Sequence, residues 1–197
     1  ESESRGLGDV YKRQYIAGLQ EMCEENDLQL WLENYGHWGF PGEFLMYGGQ
    51  SDLLSGEFWT TEDLGNVECR AAASAAHIYG KNVVYAESFT SDTEVNPFTS
   101  YPAKMKKRGD WSFAEGINHV VYHVYIHQPY EDKFPGVNAW FGTEINRKNT
   151  WFEAAAPWMK YHQRCNYLLQ QGKYVADVAY YIGCLLYTSP SPRDSDS

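Results

Sequence analysis

Asn82-Val-Val-Tyr-Ala-Glu-Ser-Phe89 is a run of β-branched and aromatic residues that carries a glutamate near its end. It reads as a strand, and the segments on either side read as helices. Upstream, Asp63 is a candidate cap for a helix running to about Gly80, whose Ala71-Ala-Ala-Ser-Ala-Ala76 stretch permits close packing. Downstream, a loop leads to a helix around Tyr101 to Gly116, with an interruption expected near Gly109. Asn118 to His127 is then the longest predicted strand. Thr150 is a candidate cap for a helix with Trp151, Ala155, Trp158, Tyr161, Cys165 and Leu168 on one side and an expected kink at Pro157.

The same alternation extends toward the N-terminus. Residues 15–26 place Ile16, Leu19 and Cys23 on one helical face. Leu28-Gln-Leu-Trp-Leu32 reads as a strand ending at Glu33-Asn-Tyr-Gly36. A glycine-rich loop follows through Gly48-Gly-Gln50, and Leu53 to Phe58 forms a short strand. Tyr174 to Ile182 reads as a further strand that closes the same sheet or opens the next domain. Strand and helix alternate with no hairpin signal, which implies a parallel sheet. No glycine-rich nucleotide fingerprint follows any strand, so a barrel is preferred to a doubly wound open sheet. A full eight-stranded barrel takes roughly 250 residues. The expected fold is therefore α/β, the C-terminal part of a (β/α)8 TIM barrel, incomplete.

The two ends of the chain read differently. Codons for Ser4 to Gln14, reverse-complemented and shifted by one base, encode Cys184 to Arg193. One inverted DNA repeat therefore fits both ends, and it matches the mosaic end and adapter of transposase-based library preparation. Residues 1–14 and 184–197 are accordingly expected to be adapter-derived and are set aside from fold reasoning. Residues 15–183 remain as a partial (β/α)8 domain. The tails hold four of the 16 basic and five of the 26 acidic residues. The remainder is still acidic and has no basic stripe, which argues against nucleic acid or an anionic membrane surface as partner. No run is long and apolar enough to span a membrane. Cys23, Cys69 and Cys165 are far apart and odd in number, as expected of free thiols.

Three predicted strands end alike, at Glu33, Glu57 and Glu87, each followed by polar or aromatic residues. Barrel active sites are built at the C-terminal strand ends, so these carboxylates are expected to converge. Converging carboxylates suit glycoside hydrolysis, which needs an acid and a base. They also suit a hard cation such as calcium. His119, His123 and His127 share one parity, but at strand rise they span about 26 Å, too far for one ion. His127, at the predicted strand end, is the one placed with the glutamates; His119 and His123 are assigned structural or hydrogen-bonding roles. His37 and Trp38 lie in the loop after Glu33, positioned to contact a sugar, and Trp59 stands beside Glu57.

Several of these segments resemble glycoside hydrolase family 106. They are Leu32-Glu-Asn-Tyr-Gly-His37, Gly56-Glu-Phe-Trp59, Ala72-Ala-Ser-Ala-Ala-His-Ile-Tyr-Gly80 and Ala86-Glu-Ser-Phe-Thr90. Phe113-Ala-Glu-Gly-Ile-Asn-His119, His127-Gln-Pro129 and Asn166-Tyr-Leu-Leu-Gln-Gln-Gly172 continue the set. The resemblance implies a (β/α)8 catalytic domain of an inverting α-L-rhamnosidase, with a calcium ion that helps hold the rhamnose hydroxyls. By the same resemblance Glu87 is a catalytic carboxylate, the base that activates water. Glu57 is a second pocket carboxylate, either a calcium ligand or a catalytic partner. Glu33 and His127 contact sugar or ion, with Glu33 a second candidate calcium ligand. His37, Trp38 and Trp59 complete the candidate substrate contacts.

The family's general acid is expected upstream of Tyr15. The chain alone is therefore expected to be inactive, and its open sheet edge favours aggregation or partial folding. The parent's expected substrate is a rhamnose-containing oligosaccharide or glycoside, which suits a periplasmic or secreted enzyme. The competing readings are a metal-dependent hydrolase on a TIM barrel and a non-catalytic carbohydrate-binding module.

Overall fold

A computed structural model describes residues 2–33, 44–60 and 67–179. In chain order the elements are α1 (Ser2–Glu25), β1 (Trp31–Glu33), α2 (Phe44–Gly48), β2 (Leu53–Trp59), α3 (Val67–Ile78), β3 (Val84–Thr90), α4 (Pro102–Ala114), β4 (His119–Tyr122) and α5 (Ala156–Leu169). A 3-10 turn at Phe152–Ala154 precedes α5. The strands pair in the order β1-β2-β3-β4, and every pairing is parallel. A doubly wound sheet reverses its strand order at a switch point. The described strands follow one another without reversal, as consecutive strands of a barrel do.

Parity along the strands separates two faces. Leu54, Phe58, Val84, Ala86 and Val120 face the helices and join Cys69, Ala72, Ala76, Met105, Ile117 and Trp158 in one buried core. Register puts Glu33, Ser55, Glu57, Tyr85, Glu87 and His119 together on the opposite face. The alanine run of α3 lets the helix lie directly on β2. A Cβ on Gly56 would come within 2.7 Å of the Glu68 carbonyl oxygen and 3.3 Å of the Ala72 Cβ.

Several elements depart from the sequence expectation. α1 begins at Ser2, well ahead of residue 15, and β1 is shorter than the predicted strand. The loop expected through Gly48 contains α2. α4 runs unbroken through Gly109, because the glycine there is a packing device: a Cβ would stand 2.9 Å from Phe89 Cζ. Pro157 does not kink α5 but lies in its first turn, where no helical N–H is lost. Leu168, expected on the buried side of α5, is exposed, while His162 is buried in its stead.

The largest departure is β4, which ends at Tyr122 instead of His127. Beyond it the backbone pairs elsewhere: Val124 N–H donates to Thr143 O at 2.7 Å, Thr143 N–H to His123 O at 3.1 Å and Ile145 N–H to Val124 O at 2.9 Å. Among the described residues, 174–179 form no strand. Asp63 and Tyr180 to Ile182 lie outside the described residues.

Gly56→Ala is expected to destabilise the barrel by about 1–3 kcal/mol, the usual cost of overpacking. The measurement is the melting temperature of the full-length polypeptide that carries this segment. An unchanged melting temperature would show that α3 is free to move off the strand.

Candidate active site

The site grows from the β2–β3 ladder. Glu57 and Glu87 are register partners, on adjacent strands and on the same face. Neighbouring strands lie about 4.8 Å apart, so the two carboxylates stand side by side near the C-terminal strand ends. Glu33 pairs with Ser55, two residues short of Glu57 along the strand direction. It therefore lies one layer deeper on the same face.

Each carboxylate of the pair has a distinct partner. Trp59 Nε1–H donates to Glu57 Oε1. Glu57 is buried, and burial pushes its carboxyl up to about 7. The Trp59 hydrogen bond opposes that rise, and the charges of Glu87, Glu68 and Glu33 add to it. Near neutrality Glu57 therefore shares its pocket partly protonated, as expected when two like charges compete in a poorly hydrated site.

Glu87 owes its partner to a bulge. Phe58 pairs with Ser88, but Trp59 pairs with Thr90, so Phe89 is an extra residue in the ladder. Phe89 takes a φ of 67°, a left-handed conformation that is unfavourable for a bulky side chain. Its ring stays in the helix-side core, edge-on to Phe58 with centroids 4.9 Å apart. The extra residue turns Thr90 to the glutamate face, where Thr90 Oγ1 donates to Glu87 Oε1 at 2.5 Å.

His123 follows the end of β4 and puts Nδ1 3.6 Å from Glu87 Oε1, an electrostatic contact longer than a hydrogen bond. Burial holds the His123 imidazole below its ordinary range, with Glu87 pulling the other way. Phe141 covers this group: its ring centroid lies 4.6 Å from that of His123 and 6.5 Å from that of Trp59.

The structure thus brings together Glu57, Glu87 and Trp59 of the sequence-derived candidates, with Glu33 one layer below. His127 is exposed, five residues past the end of β4, and among the described residues it forms no ion pair with either carboxylate. His37 and Trp38 lie outside the described residues. His119 packs against Tyr85 at a tilt, with centroids 4.4 Å apart, and meets the Gln170 amide at 3.2 Å. Among the described residues no three His, Cys, Asp or Glu side chains gather closely enough to hold a metal ion.

Thr90, His123 and Phe141 were not among the sequence candidates. His123 carried a local signal as a member of the same-parity histidine series, and Phe141 as one of two adjacent aromatics in a loop.

A parallel α/β barrel segment with paired carboxylates at its strand ends has the architecture of a barrel glycosidase. The model of the α-L-rhamnosidase family, glycoside hydrolase family 106, matches residues 4–186, and the chain belongs to that family. A protein of Formosa agariphila, provisionally named a beta-glucuronidase, is 36% identical over 180 residues, which cover 91% of this chain and 15% of that protein. The solved rhamnosidase of Novosphingobium sp. PP1Y superposes with a TM-score of 0.80 at 36% identity, covering 89% of this chain and 17% of that one. The chain thus spans less than a fifth of the length of either relative.

The Glu57 carboxyl gives the site a pH signature. Its folded value of about 7 exceeds the ordinary 4.5, so between these values the folded form holds a proton that the unfolded form has released. Stability therefore falls as pH rises through that window and levels off above it. Glu57→Gln is expected to reduce this loss, read as the change in melting temperature of the full-length polypeptide between about pH 5 and about pH 8. An equal loss in both proteins would place the Glu57 proton elsewhere.

Proposed function

We propose that this chain is part of the catalytic barrel of an α-L-rhamnosidase that cleaves terminal α-L-rhamnose from oligosaccharides or glycosides with inversion. The observation that carries this reading is the register pairing of Glu57 with Glu87 on the glutamate-lined face. Membership of the α-L-rhamnosidase family supports the substrate class.

In this reading Glu87 is the base. Thr90 and His123 hold its carboxylate in one orientation, and from there it removes a proton from the attacking water. An inverting displacement needs its two carboxyl groups roughly 6.5–9.5 Å apart. In this reading the general acid comes from a part of the barrel outside this chain, and Glu57 is a second pocket carboxylate, either a calcium ligand or a catalytic partner.

A calcium ion takes about six to eight oxygen ligands. Glu57 fits as one of them, because a cation would relieve the repulsion that helps raise its carboxyl. Glu33, one layer deeper on the same face, is the second candidate ligand. The rest of the ligand set would come from elsewhere in the polypeptide. Bound calcium would supply a fixed positive charge that orients sugar hydroxyls. Trp59 would line the sugar pocket, and His37, Trp38 and His127 would serve on its rim loops. Residues 1–14 and 184–197 are read as adapter-derived, and the parent enzyme as periplasmic or secreted.

The test is release of nitrophenol from its α-L-rhamnoside by the full-length polypeptide, with and without calcium chelation. Glu87→Gln is expected to lower kcat by about 10²–10⁴-fold, the usual contribution of a general base. Turnover that survives the substitution would remove Glu87 from the chemistry. Turnover of the β-glucuronide in place of the rhamnoside would move the reading to the activity for which the Formosa relative is named. The isolated chain is expected to show no rhamnoside turnover, since it supplies only one of the two carboxyl groups that the reaction needs.

A further inference from the structure

We infer that Trp140 is a stacking platform for the part of the substrate beyond the cleaved rhamnose. This deepens the proposed function and rests on it. A continuous path of contacts leads outward from the proposed base. Glu87 meets His123, the His123 ring packs on Phe141, and the Phe141 ring packs on Trp140 with centroids 4.3 Å apart. Along that path burial gives way to exposure, and Trp140 at its outer end is 79% exposed. A large aromatic thus stands at the exposed end of this path, two rings away from the proposed base.

The loop that carries it is built to hold still. Glu144 is fully buried, and its carboxylate accepts the Ala139 N–H at 2.8 Å and the Asn146 side-chain amide at 2.7 Å. Gly142 N–H donates to Ser91 O at 2.9 Å, which ties the far side of the aromatic pair to the segment after β3. Gly142 takes a φ of 104°, and a Cβ there would stand 2.5 Å from His123 Nδ1. Only glycine lets the loop come this close to the histidine. A buried carboxylate that accepts a loop amide restricts the loop more strongly than a neutral contact does.

Trp140 is therefore presented in a fixed place before any ligand arrives, so little conformational entropy is lost on stacking. The occupant such a surface suits is a pyranose, whose C–H face packs on an indole face. Because Trp140 lies outside Phe141 and not against Glu87, that pyranose is one next to the cleaved rhamnose.

The experiment uses the full-length polypeptide as wild type, Trp140→Ala and Trp140→Phe. Two substrates are compared: rhamnosyl fluoride, whose leaving group is one atom, and an oligosaccharide with terminal α-L-rhamnose. Trp140→Ala is expected to raise KM for the oligosaccharide about tenfold with kcat little changed. KM for the fluoride should stay within about twofold, and Trp140→Phe should recover most of the loss. Equal effects on both substrates would overturn the inference by placing Trp140 on the cleaved sugar. Unchanged KM with a lowered melting temperature would also overturn it, because the ring would then be covered by another part of the polypeptide. If wild type turns over neither substrate, the proposed function fails. Tryptophan-fluorescence titration with the same oligosaccharide then still decides whether Trp140 binds sugar.

Discussion

The parallel ladder between β2 and β3 is the constraint on which the site depends. Its register sets Gly56 beside Ala86 and Glu57 beside Glu87. The first pair lets α3 rest on the sheet, and the second places two carboxylates together on the opposite face. A slip of one residue would reverse both faces, burying glutamates under the helix and exposing the apolar row. The alanine-rich surface of α3 accepts only the observed register, because Glu68 and Ala72 leave no room for a side chain at position 56. Helix packing and site geometry are therefore two consequences of one pairing.

The bulge at Phe89 modifies that ladder where the chemistry is placed. Without the extra residue, strict alternation would keep Thr90 on the helix side and bring Phe89 among the glutamates. The bulge keeps both residues where their chemistry belongs, at a cost of about 1–3 kcal/mol for the left-handed backbone of a bulky residue. The surrounding core holds it there. Phe89 packs among Phe58, Tyr122, Trp158 and His162, over the gap left by Gly109. A strained backbone is thus fixed by apolar packing on one side of the sheet and presents a hydroxyl to a carboxylate on the other.

The electrostatics of the pair follow from the same arrangement. Glu57 is the more enclosed carboxyl, and its burial, the neighbouring Glu87 and the deeper Glu33 all favour the protonated form. Glu87 instead accepts the Thr90 hydroxyl and has the edge of the His123 ring beside it. Two identical side chains on adjacent strands are in this way given different environments, the usual route by which carboxylates acquire separate roles.

Much of this was legible in the amino-acid order. Apolar runs closed by glutamates identified β2 and β3, the alanine run identified α3, and the alternation of strand and helix specified a parallel sheet with its carboxylates at the strand ends. These readings succeeded because they rest on local periodicity, which the chain carries with it. The early end of β4, the bulge at Phe89 and the loop that folds Phe141 over His123 had no such signature. Periodicity from Asn118 to His127 continues unbroken in the sequence, but the backbone after Tyr122 finds its hydrogen-bond partners in residues 143–145. Which histidine meets Glu87 was settled by that competition between two distant pairings. Patterns of neighbouring residues were enough to specify the sheet and the pair of glutamates. What surrounds them is set on folding, because those partners come from segments far apart along the chain.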